Sequence, residues 1–133
     1  MKDTYTFPCI IKFDQEDKIY YVRFPDIEEA FTDGDSLKEA IYNAQEVLGL
    51  VIYEREKMGR EIPNATESMI KTEDNESLSY ISVWMPLVRD RIEEKSVKKT
   101  LTIPKWLNDL AEENNVNFSQ LLQVAIKKHI GLN

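Results

Sequence analysis

The fold of the C-terminal part of the chain is indicated by residues 97–107, VKKTLTIPKWL. Within residues 97–103, Val97, Leu101 and Ile103 share one parity, which is the period of a strand with one covered face. Pro104 follows at once, and proline favours the first turn of a helix because its missing N–H would be unpaired there anyway. The stretch therefore predicts a short strand that leads directly into a helix.

Two short helices are predicted downstream of Pro104. Asn117 is a good N-cap for the second helix, and Gly131 is a typical C-terminal stop. Their apolar stripes are Trp106, Leu107, Leu110 and Ala111 in the first, and Leu121, Leu122, Ala125, Ile126 and Ile130 in the second. Residues 97–133 thus form a predicted β-α-α domain. A domain of fewer than ~40 residues usually needs a partner, so we expect it to dimerise.

A charged connector precedes this domain, and a second pattern lies upstream of it. Residues 87–96, LVRDRIEEKS, predict a linker, and residues 1–86 predict a separate domain of order β-β-β-α-β. The first two strands are separated by a polar turn, which indicates a hairpin. The last strand is apolar or β-prone at most positions, which predicts that both of its faces are covered. The four strands are predicted at residues 5–13, 19–24, 30–32 and 78–85.

One long helix is predicted between the third and fourth strands. Ser36 and Glu39 have the spacing of a capping box, in which the hydroxyl accepts from the N3 amide and the glutamate reaches back to the cap. Apolar residues follow at i, i+3, i+4 and i+7 as far as Met58 and Gly59. The stripe consists of Leu37, Ala40, Ile41, Ala44, Val47, Leu48, Val51 and Ile52. The fold class expected for the whole chain is α+β.

The sign of the net charge changes near residue 96, at the same boundary as the predicted domains. The chain of 133 residues has 24 Asp and Glu against 17 Lys and Arg, a net charge of −7. A strongly acidic chain is unlike a nucleic-acid binder, because affinity for phosphate comes from clustered cations. Residues 1–95, however, have a net charge of −9 and residues 96–133 a net charge of +2. The sequence therefore predicts two domains with different partners, of which only the second is suited to nucleic acid.

Cysteine content and hydropathy indicate the cellular compartment in which the protein is expected. Cys9 is the single cysteine, which excludes an intramolecular disulfide and a multi-cysteine zinc site. No apolar run approaches the ~20 residues of a membrane-spanning helix. The first residues also lack the apolar stretch of a signal peptide. We expect a cytoplasmic protein that does not contact membranes.

The two halves resemble known families. Residues 97–107 with residues 117–122, NFSQLL, resemble a ribbon-helix-helix DNA-binding domain in residue type and spacing. The resemblance implies that two chains pair their strands into an antiparallel ribbon that enters the major groove of an inverted-repeat operator. Residues 24–27, FPDI, and 32–44, TDGDSLKEAIYNA, resemble the signature of HicB antitoxins. One departure is Glu28, Glu29 and Ala30, where that family often has Pro-Gly and a small or sulfur-containing residue.

Together the resemblances imply a HicB-type antitoxin that represses its own operon. Its N-terminal domain would have a reduced RNase H-like fold and would neutralise a HicA-like toxin, which is a small, basic, mRNA-cleaving ribonuclease. An acidic domain suits a surface built for phosphate. The residues expected to contact the toxin are Asp26, Glu28, Glu29, Asp33 and Asp35. The assembly would be a homodimer or a tetramer, with no cofactor and no enzymatic activity.

The ribbon-helix-helix resemblance also implies site residues. Lys98, Thr100 and Thr102 would face DNA, because lysine suits guanine or phosphate and threonine offers a donor, an acceptor and a methyl group. Lys99, on the core-facing parity, would be a snorkelling edge residue or a phosphate contact. The free amides at the start of the second helix, at Asn117, Phe118 and Ser119, would bind a DNA phosphate. The dimer core would consist of Leu101, Ile103, Leu107, Leu121, Leu122 and Ile126.

Two alternatives remain open from the sequence. The chain could be a ribbon-helix-helix transcriptional regulator whose N-terminal domain senses a ligand or oligomerises. It could also be a metal-dependent nuclease, since RNase H chemistry needs several converging carboxylates. The carboxylates available are Asp14, Asp26, Asp33 and Asp35, three of which lie in predicted turns.

Overall fold

The computed structural model describes residues 1–132 and divides into two units, the first of which is Met1–Ser96. Asn133, the last residue of the predicted C-terminal domain, lies outside the described residues. The elements are β1 (Thr4–Asp14), β2 (Ile19–Phe24), β3 (Ile27–Gly34), α1 (Leu37–Lys57), β4 (Glu76–Trp84), α2 (Met85–Ile92), α3 (Lys105–Glu113) and α4 (Phe118–Ile130). Within these residues no helix is both long and apolar enough to cross a bilayer.

The first unit is built on a four-stranded antiparallel sheet of order β3-β2-β1-β4. β1 is the long central strand: it pairs with β4 from Thr4 to Lys12, but with β2 only from Ile10 to Asp14. The predicted hairpin of β1 and β2 is confirmed. β3 and β4 are the two edge strands.

The core lies between one face of the sheet and α1. The predicted stripe of α1 is confirmed at Ala40, Ala44, Leu48, Val51 and Ile52, which are all buried. They pack with the strand residues Phe7, Cys9, Ile11, Val22, Phe24, Ile81 and Val83. Burying each large side chain contributes ~1.5–3 kcal/mol, so this face dominates the stability of the unit.

The start of α1 is fixed by Ser36 and Gly34. Ser36 Oγ accepts a hydrogen bond from the backbone N–H of Glu39 at 3.1 Å, as the capping pattern predicts. Gly34, at the end of β3, lies so close to the first turn that an added Cβ would be 2.7 Å from Ala40 Cα. Only glycine lets the strand end against the helix in this way.

Two strands differ from the sequence prediction. β3 runs from Ile27 to Gly34, not only over residues 30–32. The sequence pattern did not show this length, because a register shift near Arg23 and Phe24 breaks the alternation of buried and exposed residues. In β4, Ile81 and Val83 are buried, but Tyr80 and Trp84 are each 58% exposed. The prediction that both faces of this strand are covered is wrong, since the core formed with α1 lies on one face of the sheet.

The predicted linker at residues 87–96 differs as well, because its first part lies in helix α2. Val88 packs against α1 at Gly49, where an added Cβ would lie 3.1 Å from Val88 Cγ2. Arg89 forms a bidentate ion pair with Glu56 of α1. Arg89, one of the charged residues that suggest a solvated connector, thus attaches α2 to α1.

The second unit begins at Val97 and contains α3 and α4. Both predicted helices are confirmed: Asn117 Oδ1 caps α4 by accepting from Gln120 N–H at 3.0 Å, and Gly131 ends it with φ of 82°. The predicted strand at residues 97–103 is not formed in the single chain. A strand needs a hydrogen-bonded neighbour, and this unit supplies none in the part of the chain that the structure describes.

Candidate functional site

The five acidic residues predicted to meet a basic partner lie at one edge of the sheet. Glu28, Glu29 and Asp33 are on β3, while Asp26 precedes the strand and Asp35 follows it. β3 is an outer strand, so the five residues, which lie within ten positions of one another in the sequence, follow one edge of the sheet without forming a cluster.

Two of the five carboxylates are engaged inside the protein. Asp26 accepts hydrogen bonds from the backbone N–H and the hydroxyl of Thr66, which fastens the loop after α1. Glu29 accepts from Arg55 Nε at 2.9 Å and Nη2 at 2.7 Å. The Arg55 hydrogen bond lowers the pKa of Glu29 from 4.5 to about 2. Both residues therefore have structural roles that compete with binding a partner.

Glu28, Asp33 and Asp35 remain exposed. Among them lies Phe31, whose side chain is 67% exposed on the same edge strand. The sequence interpretation placed Phe31 in a short strand and gave it no role. An exposed aromatic residue with acidic neighbours is typical of a protein-binding surface, in which an apolar centre is surrounded by a polar rim. We call Glu28, Phe31, Asp33 and Asp35 the acidic edge.

A cleft lies between the start of β1 and the loop that follows α1. It has a volume of about 530 Å³ and is lined by Lys2, Thr4, Tyr5, Thr6 and Phe7 on one side, and by Pro63, Asn64, Ala65 and Glu67 on the other. It contains one cation and one carboxylate and none of the predicted site residues. Its lining does not concentrate charge of one sign.

The carboxylates of the nuclease alternative are not brought together. Asp14 Oδ1 accepts from the backbone N–H groups of Glu16 and Asp17 at 2.9 and 3.0 Å, which closes the turn between β1 and β2. Asp26 is bonded to Thr66. Over residues 1–132, no group of three or more His, Cys, Asp and Glu side chains could hold a metal ion. Turn formation explains Asp14 without any catalytic role.

The residues predicted to face DNA lie in the second unit and are exposed. Lys98, Lys99, Thr100 and Thr102 lie in the extended segment that precedes α3. Asn117, Phe118 and Ser119 lie at the start of α4, where the Asn117 side chain is used as the cap. The next lysine, Lys105, pairs with Asp109 at 2.9 Å. Lys98 and Lys99 have no ion-pair partner among the residues described, so both charges are available.

The apolar side chains of the second unit have no core to enter. Neither α3 nor α4 contains a buried residue. The predicted dimer residues are largely exposed in the single chain: Leu101 58%, Ile103 41%, Leu107 42%, Leu121 57% and Ile126 50%. Leu122 is partly buried. Exposed large apolar side chains in this number are typical of an interaction site.

Comparison with protein families finds a match over most of the chain. The model of the HicB-like antitoxin of bacterial toxin-antitoxin systems matches residues 7–125. The match begins in β1 and ends in α4, so it spans both units. No curated protein sequence matches the chain.

Several solved structures contain chains that are similar to this one. One, from a toxin-antitoxin complex of Streptococcus pneumoniae, is 30% identical, with 95% of this chain and 99% of that chain covered and a TM-score of 0.56. The antitoxin HicB of Burkholderia pseudomallei is 16% identical, with 95% and 96% covered and a TM-score of 0.51. The antitoxin HicB3 is 20% identical, with 93% and 97% covered and a TM-score of 0.51. The last two similarities concern the fold alone.

Proposed function

Because the chain belongs to the family of HicB-like antitoxins of bacterial toxin-antitoxin systems, we propose that its first unit binds and neutralises a HicA-like ribonuclease. We propose further that its second unit dimerises and binds the operator of its own operon. The chain then acts by covering the RNA-binding surface of the toxin and needs no catalytic residue or cofactor of its own.

The acidic edge is the observation that supports toxin binding. Glu28, Asp33 and Asp35 are exposed on or directly after the same edge strand as Phe31, on a unit of net charge −9. A ribonuclease must present cations to RNA phosphates, and a carboxylate surface can occupy the same cations. Attraction between opposite charges also speeds the encounter of the two proteins. Phe31 would supply the apolar contact that gives such an interface a slow dissociation rate.

Dimerisation of the second unit is supported by its exposed apolar side chains. Two copies could bury them together, and their segments at residues 97–103 could then pair as an antiparallel ribbon. In such a ribbon Leu101 and Ile103 point to the dimer core, while Thr100 and Thr102 point outward because successive side chains alternate. Lys98 lies on the outward side too. The net charge of +2 per unit suits DNA.

Toxin binding is tested by reversing the charges of the acidic edge. The chain is expressed with the basic protein encoded beside it, and co-purification is measured for the native chain and for Glu28→Lys, Asp33→Lys and Asp35→Lys combined. We expect the combined variant to lose the partner, because three attractions become repulsions. The matched control changes Glu16, Glu67 and Asp74 to lysine, which alters the net charge equally at other exposed sites. Equal loss in both variants would refute a specific role for the edge.

DNA binding is tested at the ribbon. Thr100→Ala with Thr102→Ala should remove selectivity for the inverted-repeat operator while dimerisation and toxin binding stay intact. Leu101→Asp should instead abolish the dimer, because it places a charge in an apolar interface without a partner. Footprints on operator DNA and sedimentation of each variant distinguish the two effects. Unchanged footprints for the double threonine variant would show that the ribbon is wrongly assigned.

A further inference from the structure

The outer edge of β4 exposes a defined set of backbone groups. Phe13 N–H donates to Asn75 C=O at 3.1 Å, and Met85 N–H donates to Asp3 C=O at 2.6 Å. Odd-numbered residues of β4 therefore direct their backbone groups toward β1. Because these directions alternate along an antiparallel strand, the even-numbered residues direct theirs away from the sheet. Between Glu76 and Ser82, where β4 can pair with a copy of itself, the outward residues are Glu76, Leu78, Tyr80 and Ser82; Trp84 is also outward but is the N-cap of α2.

Two of these outward groups already have partners within the unit. Glu76 N–H donates to Glu73 C=O at 3.0 Å. Ser82 C=O accepts from Gln45 Nε2 of α1 at 2.8 Å. The groups that remain are both those of Leu78, both those of Tyr80, the C=O of Glu76 and the N–H of Ser82. Within residues 1–132 none of these has a hydrogen-bond partner.

We propose that β4 pairs with β4 of a second copy of this chain, antiparallel and centred on Ser79. In this register Leu78 lies opposite Tyr80 of the other copy, and each such pair exchanges two hydrogen bonds. Ser82 lies opposite Glu76, where the free N–H meets the free C=O. The two groups that this register leaves without an intermolecular partner, Glu76 N–H and Ser82 C=O, are those bonded internally. The free groups of the edge are thus complementary to themselves.

The side chains of β4 favour a second copy over a charged partner. Residues 77–84, SLSYISVW, contain no charge and no proline, and β4 pairs with β1 without a register shift. Natural edge strands are usually protected by charges, proline or bulges. The other edge, β3, has Glu28, Glu29, Asp33 and a register shift. In a unit of net charge −9, the uncharged edge is where two copies can approach, while a basic partner is drawn to β3.

Pairing would also cover exposed apolar side chains. Tyr80 is 58% exposed on the sheet face that lacks α1, and Leu78 projects from the same face. In the proposed register each Tyr80 lies beside Leu78 of the other copy, and aromatic–aliphatic cross-strand pairs stabilise sheets. The result is a continuous sheet of eight strands. The inference uses residues of the first unit only and is independent of the proposed toxin and DNA binding.

A register-specific disulfide tests the pairing directly. Ser79 would face its own copy as a non-hydrogen-bonded pair with Cα atoms ~4.5 Å apart, within reach of a disulfide. Ser77 would face Ile81, which places the two Ser77 Cα atoms ~13 Å apart. Cys9 must first be changed to alanine, because it is the register partner of Ser79 in β1. The full-length chains Cys9→Ala/Ser79→Cys and Cys9→Ala/Ser77→Cys are oxidised and run without reductant.

We expect a covalent dimer from the Ser79→Cys chain and a monomer from the Ser77→Cys chain. Equal cross-linking at both positions, or none at position 79, would overturn the proposal. Circular dichroism of both variants shows that each is folded before the comparison is made.

Sedimentation supplies a second measurement without cysteine. Tyr80→Glu adds charge at the proposed interface, and Tyr42→Glu adds the same charge at an equally exposed tyrosine on α1. Both variants are made in a Leu101→Asp background, which removes the dimer contact proposed for the second unit and leaves β4 pairing as the contact under test. In this background we expect Tyr80→Glu to reduce the dimer to a monomer and Tyr42→Glu to keep the dimer. A Tyr80→Glu chain that remains a dimer in this background would overturn the proposal. If that chain also loses its toxin, the edge belongs to the toxin.

Discussion

The ion pair between Arg89 and Glu56 fastens α2 to α1, and Arg89→Met should measure its strength. Arg89 Nε lies 3.0 Å from Glu56 Oε1, and Nη2 lies 2.7 Å from Oε2. The side chains are only 16% and 6% exposed. Hydrogen bonding to Glu56 also raises the pKa of Arg89 above its ordinary value. Methionine preserves the apolar stem but leaves the Glu56 carboxylate largely buried without its partner.

The expected cost follows from this burial. Removing one partner of a fully buried ion pair costs ~3–5 kcal/mol. Because Arg89 keeps some contact with solvent, the lower end applies, and we expect about 3 kcal/mol. For a domain of this size each kcal/mol lowers the melting temperature by ~4–8 °C, so the variant should melt ~12–24 °C lower.

Urea unfolding followed by tryptophan fluorescence gives the free energy of unfolding. The two tryptophans report on different units, so the measurement uses a Trp106→Phe background in which only Trp84, the N-cap of α2, remains. A double-mutant cycle with Glu56→Gln isolates the coupling between the two side chains. The control is Arg91→Met on the same helix, since Arg91 meets Glu46 at 3.7 Å with both side chains well exposed.

We expect the control to change stability by less than ~0.5 kcal/mol, as is usual for exposed ion pairs. A cost below ~1 kcal/mol for Arg89→Met, with no coupling to Glu56, would place this pair in the exposed class as well. That result would refute the claim that α2 is a fixed part of the first unit and would favour the flexible linker that the sequence predicts.

Three further predictions follow from other features of the two units. Gly34→Ala should destabilise the first unit by ~1–3 kcal/mol in the same unfolding assay, because its Cβ would collide with the Ala40 backbone; an unchanged midpoint would contradict the close approach. The pKa of Glu29, lowered from 4.5 to about 2, means that its ion pair with Arg55 contributes fully above pH 4.5 and is lost as pH falls toward 2. Glu29 is 37% exposed, so the contribution is only ~1 kcal/mol, and Glu29→Gln should remove that part of the acid-dependent loss of stability. Operator affinity should fall steeply with salt, and Lys98→Ala should reduce the slope of log affinity against log salt by ~1 for each phosphate that Lys98 neutralises; an unchanged slope would remove Lys98 from the interface.

Features that depend on neighbours in sequence were predictable. The cap at Ser36, the stripe from Ala40 to Ile52 and the caps of α4 at Asn117 and Gly131 all depend on residues within one or two turns. The β1–β2 hairpin is similarly local. Helix α2 was missed although Pro86 lies in its first turn, because the charged residues after it resemble a solvated connector and the contact of Val88 with Gly49 is remote in the sequence.

The candidate site likewise has some features that were predictable from the sequence and others that depend on residues remote in the chain. The sequence indicated which acids could meet a cationic partner, and the structure places them along one edge. It could not indicate that Asp26 is bonded to Thr66, or Glu29 to Arg55, since these partners are 40 and 26 residues away in the chain. Nor could it indicate the exposure of Phe31, which pairs with the exposed Arg23 on the sheet face opposite to the core residue Val22. The predicted strand at residues 97–103 depends on a second chain and is not formed in one copy.

Protection of RNA is the direct test of whether the chain neutralises its toxin. The basic protein encoded beside this chain is purified and allowed to cleave mRNA while the native chain is titrated into the reaction. We expect cleavage to stop near stoichiometric amounts of the native chain and to continue with the variant that combines Glu28→Lys, Asp33→Lys and Asp35→Lys. Undiminished cleavage in the presence of excess native chain would contradict this expectation.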